Sequence, residues 1–274
     1  LVSVILAVKN FPNFRVIGVN GHIFHNSGSS IVQELGFALA LASNYLTVLT
    51  EKGFTVDEVA TRMSFNFAIS SSYFMEIAKF RAARLLWAKM VEVYNPASAK
   101  SAQMRIHAET SRWNKTVYDA YVNMLRTTTE GMSAVLAGVD SLNVLPFDAP
   151  YAESSVFSER IARNQQLLLR EESYLGQVAD PSAGSYYIEN LTISIAENAW
   201  NQFLKIDEMG GYKESFIKGF VQAQIAEVSN KRDTNIANRR ETVLGTNQYP
   251  NFNEIADAKA VSADAVTRKA SEKP

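Results

Sequence analysis

The sequence contains no cysteine among its 274 residues, which excludes disulfides, thiolate nucleophiles and cysteine-bound metals. It has no excess of charge, with 27 Lys and Arg against 28 Asp and Glu, so nucleic acid and anionic membranes are not expected partners. The longest apolar run, Phe37–Ala42, is far shorter than a membrane span, and no signal peptide is visible. These absences allow a reducing compartment, and we expect the chain to be cytoplasmic.

What is present is a globular composition, 47% hydrophobic and 20% charged, in which short apolar segments alternate with long amphipathic ones. The segments typical of strands are Phe14–Val19, Arg62–Ile69, Gln103–Ala108 and Ser141–Leu145. The segments typical of helices are Ile31–Thr50, Tyr73–Tyr94, Thr116–Leu136, Ser155–Glu172, Leu191–Glu208 and Tyr212–Ser229. This alternation predicts an α/β fold with a parallel sheet, which is either half of a (β/α)₈ barrel or an open sheet.

A half barrel leaves two unpaired sheet edges, so the chain is expected to self-associate or to be covered by another chain. Polar density rises after Ser229. We therefore predict a barrel-type domain over residues 1–229, which ends in helices, and an extended, linker-like polar tail over residues 230–274.

Two of the three histidines, His22 and His25, lie just after the first predicted strand, at the strand end where sites form in parallel α/β folds. A metal site would need a third ligand, such as Glu34 or Glu109. The spacing alone favours ordinary loop histidines, and we predict no metal site.

Arg105, His107 and Glu109 share one face of the third strand, and Arg62 begins the second. Two interpretations remain open from the residues alone. The face is either a polar layer inside a barrel with its charges paired, or a site for an anion or carboxylate, which guanidinium groups bind bidentately.

Two further polar segments have ordinary structural interpretations. Asn26–Ser30 could hold a phosphate with its N–H groups, but an N-cap by Ser29 or Ser30 is favoured. The charged residues of the second long helix are expected to form a solvated or interface face; they are Glu76, Lys79, Arg81 and Arg84.

Several long stretches resemble the acyl-CoA-binding barrel of the adenosylcobalamin-dependent methylmalonyl-CoA mutase family. These matching stretches are Phe74–Lys89, Arg160–Gln165, Asp180–Tyr186, Glu208–Gly211 and Leu244–Tyr249. The resemblance runs from about residue 14 to residue 250, nearly without gaps. It implies the C-terminal half of a TIM barrel, with about four parallel strands. It also implies a fragment that lacks the N-terminal barrel half and the cobalamin domain, whose Asp-x-His-x-x-Gly motif does not occur in this sequence.

The resemblance also implies altered site positions. In the family's catalytic subunit a Tyr-His pair flanks the substrate, and the matching residues here are His22 and Ile23. The aliphatic Ile23 cannot donate a hydrogen bond. The Gln that faces the cofactor's adenosyl group matches Glu109, and a cofactor-facing Glu matches Ala149.

Other positions are closer to the family pattern. The substrate-contacting Arg-Leu-Ser strand matches Arg62-Met63-Ser64, and an Arg-x-His block matches Arg105 and His107. The resemblance therefore implies vestigial substrate contacts at Arg62, Ser64, Arg105 and His107, and no catalytic residue on this chain.

This pattern implies the small, non-catalytic subunit of a heterodimeric mutase of propionate metabolism. Its partner would be the large catalytic subunit, which would bind adenosylcobalamin; we expect no cofactor on this chain. One alternative is an active acyl-CoA mutase of altered specificity, in which His22 or His25 replaces the lost imidazole. Another is an anion- or CoA-binding βα module that uses a cleft near Arg62, Arg105 and His107.

Overall fold

The computed structural model describes residues 1–11 and 13–255, and four parallel strands form its sheet in the order β1-β2-β3-β4. The strands are β1 (Ile17–Asn20), β2 (Met63–Ile69), β3 (Ile106–Thr110) and β4 (Ser141–Asn143). Helices lie between consecutive strands along the chain, as in βα units. The predicted α/β class and the partial TIM-barrel fold with four parallel strands are confirmed.

The described residues form α-helices before, between and after these strands along the chain. They are α1 (Val2–Ala7), α2 (Gly21–Asn26), α3 (Ile31–Thr50), α4 (Val56–Ala60), α5 (Tyr73–Glu92), α6 (Val122–Leu136), α7 (Val156–Glu171), α8 (Tyr186–Glu208), α9 (Tyr212–Ile217) and α10 (Phe220–Ala237).

Side-chain caps fix where several helices begin. Ser30 accepts a hydrogen bond from the backbone N–H of Gln33, and the Gln33 side chain accepts one from the backbone of Ser30, which is a capping box. Thr55 and Glu58 form the same motif before α4. The segment Asn26–Ser30 is thus an N-cap turn, as the sequence favoured.

The core lies on one face of the sheet, where alternate strand residues meet the helices. Phe65, Phe67 and Ile106 are almost completely buried, and Trp87 of α5 packs against Phe65 with ring centroids 4.8 Å apart. Helix α8 packs on both α3 and α5. Among the described residues α3 alone is long and apolar enough to cross a membrane by length and composition, and most of it is buried in this core.

Several elements differ from the prediction. Helices α1 and α2 were not predicted, because each is only 6 residues long and shows little periodicity. Helix α8 begins at Tyr186 rather than Leu191, and its first turn is joined to the core by the buried Ile188. The predicted boundary at residue 230 falls inside α10, so an extended conformation is wrong for residues 230–237; residues 256–274 lie outside the described residues.

Candidate functional site

A row of polar side chains crosses the sheet on the face opposite the helices. The strand register aligns Asn20 with Asn66, Asn66 with His107, and His107 with Ser141. Asn66 donates from Nδ2 to Oδ1 of Asn20 over 2.6 Å, and His107 Nδ1 lies 2.8 Å from Ser141 Oγ. These side chains are at least partly solvent-exposed, because the described residues provide no second layer over this face. We call this set the polar row.

A second pair of polar side chains lies nearer the carboxyl ends of the strands than the polar row. Glu109 aligns with Asn143, whose Nδ2 donates to Glu109 Oε2 over 2.9 Å. The sequence pointed to His107 and Glu109 as site residues, but not to the neutral polar residues that they align with. Regular polar residues at alternate strand positions were the signal that could have found Asn20, Asn66 and Asn143.

Arg105 lies at the amino end of β3, where it pairs with Asp140. Its Nη1 is 2.5 Å from Asp140 Oδ1, and its side chain is 52% exposed. Arg105, His107 and Glu109 share one sheet face, and no other element of the described residues covers that face. The choice between a polar layer inside a barrel and an anion site stays open. Arg105 and Glu109 both have partners from β4 or the residue before it, as a paired polar layer requires.

Arg62 does not join this group. Its guanidinium donates to the backbone carbonyls of Val8 and Lys9 over 3.2 and 3.3 Å, and the residue is buried. It thus ties the end of α1 to the residue before β2. Ser64 aligns with Gly18 and is half-buried on the open face. Substrate contact by Arg62, Ser64, Arg105 and His107 stays a prediction.

The altered positions lie at the carboxyl ends of the strands or in the segments that follow them. His22 and Ile23 are in α2, directly after β1; His22 is half-buried and Ile23 is 54% exposed. Ala149 lies in the turn after β4, where its N–H donates to the carbonyl of Pro146, and its methyl group is half-buried.

His25 is buried below this surface, in contact with the end of β3. Its Nε2 lies 2.9 Å from Ser111 Oγ, and its Nδ1 lies 3.8 Å from Glu34 Oε2. Burial, and then the charge of Lys79, lower the pKa of His25 well below its ordinary value, so the ring is neutral. Ser, His and Glu resemble a nucleophilic triad in composition, but Ser111 is completely buried and no substrate carbonyl can reach it.

The proposed third ligand Glu34 belongs to a different arrangement. Lys79 Nζ donates to Glu34 Oε2 over 2.8 Å and to the carbonyl of Ala68 over 2.6 Å, and it lies 2.6 Å from Glu76 Oε2. All three charged side chains are 0% exposed. We call them the buried lysine cluster. No group of three metal-ligating residues occurs within the described part of the chain, so His22 and His25 do not gain a third ligand there.

The buried lysine cluster corrects the expectation that the charged face of α5 is solvated. Burial alone would lower the pKa of Lys79, but Glu34 and Glu76 outweigh it and raise that pKa, so Lys79 stays charged. Arg81 and Arg84 are partly buried and pair with Glu189 and Asp140, respectively. The cluster ties α3 and α5 to the carboxyl end of β2, because Glu34 accepts from the Ala68 N–H and Glu76 from the Ser70 N–H.

A second buried ion pair lies in the segment after β3. Lys115 Nζ is 2.7 Å from both carboxylate oxygens of Glu130, and Asn114 donates to the same carboxylate. Burial raises the pKa of Glu130 to about 7, although Lys115 opposes the shift. The carboxyl end of the sheet thus presents the half-buried carboxylate of Glu109, which already accepts a hydrogen bond, and the exposed aliphatic side chain of Ile23. The ion pairs of Lys79 and Lys115 are buried below this surface.

The chain is similar to proteins of one family along most of its length. The family model described as methylmalonyl-CoA mutase matches residues 3–273. The methylmalonyl-CoA mutase small subunit of Porphyromonas gingivalis is 52% identical over 258 residues, which are 94% of this chain and 42% of that protein. A probable methylmalonyl-CoA mutase small subunit of Mycobacterium bovis is 42% identical, over 88% of this chain and 40% of that protein. The methylmalonyl-CoA mutase of Rhizobium meliloti is 40% identical, over 90% and 35%. The chain thus spans less than half the length of these relatives.

Proposed function

Because the chain belongs to the methylmalonyl-CoA mutase family, we propose that it is part of a non-catalytic small subunit of a heterodimeric mutase in the cytoplasm. The holoenzyme would interconvert methylmalonyl-CoA and succinyl-CoA in propionate metabolism. This chain would pair with the large catalytic subunit and stabilise it. Two similar proteins whose names include "small subunit" support this proposal, since such a name implies a larger partner.

The observation that carries the proposal is the chemistry at the carboxyl ends of the strands. Ile23 presents an aliphatic side chain, 54% exposed, at the position where the family resemblance implies a hydrogen-bond donor. Loss of a donor directed at a developing oxyanion typically lowers the rate by about 10²–10³-fold. The nearby imidazole of His25 cannot replace it, because it is 2% exposed and its Nε2 contacts Ser111.

The family depends on adenosylcobalamin, which supplies radical chemistry when it is bound. The described residues at the carboxyl end do not fit that cofactor. Glu109 already accepts a hydrogen bond from Asn143, and neither Ile23 nor Ala149 has a polar side-chain atom. We therefore derive no catalytic step on this chain and propose that the large subunit holds the cofactor.

The sheet edges support a role in association. In the described fold, β1 and β4 each pair with one neighbour only, so each keeps unpaired backbone groups along its other side. We propose that the large subunit or a further part of the small subunit covers this region in the holoenzyme. The isolated 274-residue chain should then self-associate, which size-exclusion chromatography with light scattering tests; a monomer at all concentrations contradicts it.

The decisive experiment compares the chain alone with its complex with a large subunit, each supplied with adenosylcobalamin and methylmalonyl-CoA. We expect no succinyl-CoA from the chain alone, and a higher thermal midpoint for the large subunit in the complex. Turnover by the chain alone would show that it is a mutase itself. An unchanged midpoint would contradict the stabilising role.

A pair of matched variants tests whether position 23 takes part in turnover. The side chains of Ile23 and Ile193 are both 54% exposed, and Ile193 lies in α8. In the complex, I23A and I193A should both leave turnover within about twofold of the unmodified complex. A tenfold loss confined to I23A would place position 23 in a working site.

A further inference from the structure

A groove runs along β4, which is one edge of the sheet. Ser141 and Leu142 of β4 line this groove, and the second half of α7 and residues 176–180 form the rest of its wall. Its volume is about 840 Å³, and Val139, Leu142 and Leu167 make much of the wall apolar. We propose that a second copy of this chain fills the groove with its helix α1, and that β1 of each copy pairs with β4 of the other.

Helix α1 has the surface that this groove requires. It contains no charged residue, and one side of it is held in the core by the buried Ile5. Val4 and Leu6 are 47% and 56% exposed. An uncharged helix that exposes aliphatic side chains gains free energy when an apolar groove removes them from water.

The helix and the groove lie at the same level of the sheet. Arg62, the residue before β2, donates to the carbonyls of Val8 and Lys9, which places the end of α1 at the amino ends of the strands. Residues 138–140, which come just before β4, line the groove. A second copy that runs parallel to the first therefore brings its α1 to the level of the groove.

The two edge strands are complementary in direction and in what they leave unpaired. In the described fold β1 pairs only with β2 and β4 pairs only with β3, and all of these pairings are parallel. A two-fold axis along the strands sets β1 of each copy beside β4 of the other, so both junctions form at once. The result is a closed sheet of eight parallel strands, in which no edge remains free.

Closure also fixes the register of the two strands. The polar row aligns Asn20 with Ser141 across the four strands of one copy. In a closed eight-stranded parallel sheet one circuit displaces the alignment by about eight positions, toward the amino end because the strands tilt with a fixed hand. Each of the two equal junctions takes about four of these positions, so Ser141 lies beside Val16 of the other copy and Asn143 beside Gly18. The even offset keeps polar positions of both copies on one face.

This arrangement goes beyond the proposed subunit role and does not rest on it. A second copy takes the place beside β4 only where no other chain covers it. Association of the chain with itself is measured without a large subunit, whereas the subunit role is measured with one. Failure of either proposal is therefore distinguishable from failure of the other.

Disulfide cross-linking tests the register, because the sequence has no cysteine of its own. A Cβ at Gly18 would lie no closer than 3.4 Å to a neighbouring atom, so G18C is tolerated. Within one copy, positions 18 and 143 are separated by two intervening strands, roughly 14 Å in all, which a disulfide cannot span. Mild oxidation of G18C/N143C should therefore give a covalent dimer on a non-reducing gel.

The matched control for the register is G18C/S141C. It moves one thiol two positions along β4, which takes the two Cα atoms beyond the reach of a disulfide in the proposed pairing. Its covalent dimer should form at least tenfold more slowly. Equal rates for the two double variants would overturn the proposed register.

A second pair of variants tests the groove without any cross-link. Leu167 and Leu168 are 42% and 43% exposed on the same helix, but only Leu167 lines the groove. In sedimentation velocity of the 274-residue chain, L167E should raise the dimer dissociation constant at least tenfold, and L168E should leave it within twofold. Urea unfolding should show that both variants keep their fold.

Three results of the sedimentation experiment would contradict the proposal. The first is a monomer at all concentrations. The second is growth beyond the dimer as concentration rises, because an arrangement that does not close adds further copies. The third is an equal effect of L167E and L168E on the dissociation constant.

Discussion

Replacing Lys79 by methionine should destabilise the fold far more than most single substitutions. The long apolar side chain keeps much of the shape of lysine, so the main change is loss of the ammonium that lies 2.8 Å from Glu34 and 2.6 Å from Glu76. Removing one partner of a buried ion pair typically costs about 3–5 kcal/mol, because the other partner is left uncompensated. We expect a loss in this range, roughly a 10²- to 10⁴-fold change in the unfolding equilibrium.

Urea unfolding followed by circular dichroism measures this loss of stability. Repeating the measurement at several pH values distinguishes a loss of charge compensation from a loss of packing. Burial already raises the pKa of Glu34, and removing Lys79 takes away the charge that opposes this shift in the folded variant. The folded variant then binds more protons than the unfolded chain, so its stability falls as pH rises above the ordinary glutamate pKa. The deficit of K79M should therefore be larger at neutral pH than at acidic pH.

The matched control is K213M, at an exposed lysine, which should change stability by less than about 0.5 kcal/mol. Neutralising both carboxylates in the same chain, as K79M/E34Q/E76Q, should recover part of the loss and remove the pH dependence. A K79M deficit below about 1 kcal/mol, or one that does not change with pH, would refute the view that this cluster depends on charge compensation.

Two other predictions concern stability. Since burial raises the pKa of Glu130 to about 7, the folded state holds its proton more tightly; this contribution is complete below the ordinary value of 4.5 and is lost as pH rises through about 7. E130Q should therefore flatten the dependence of the unfolding free energy on pH between those values. E227Q, at an exposed glutamate, should leave that dependence unchanged. An unchanged pH dependence in E130Q would contradict the role of Glu130. S30A should lower the free energy of unfolding by about 1 kcal/mol, because it removes the N-cap of α3. S27A, at an exposed serine, should lower it by less. Equal losses of the two variants in urea unfolding would argue against the cap.

The strands could be predicted from the sequence because alternation is a local property. Met63, Phe65 and Phe67 alternate with polar residues, and all three lie on the helix-covered face. The polar positions then had to face the other side, which is why His107 and Glu109 share a face. What local pattern could not reveal was that this face is open, since exposure depends on which other elements cover it.

The buried lysine cluster was missed for a related reason. Lys79 and Glu34 are 45 positions apart, so no local pattern shows that they pair. One signal was available: Glu76 and Lys79 lie on the same helical stripe as Phe80 and Ala83, which are completely buried. Charged residues are almost never fully buried without a partner, so a charge on a buried stripe indicates an ion pair.

Of the candidate site, the sequence supplied the altered positions but not their surroundings. His22 and Ile23 were expected in a loop, and their place in α2 exposes Ile23 while His25, two positions later, is buried against Ser111. Arg62 was separated from Arg105 by its contacts with the carbonyls of Val8 and Lys9.

The contact between the start of α3 and α10 has a consequence for synthesis on the ribosome. Gln33 Nε2 donates to the carbonyl of Gln224, 191 positions later, and a Cβ on Gly28 would lie 2.7 Å from the Ser229 side chain. At about 5–20 residues per second, translation reaches this partner roughly 10 to 40 s after α3 has been made. During that interval the nascent chain exposes the surface that α10 later covers, so chaperone binding should be strongest before α10 emerges.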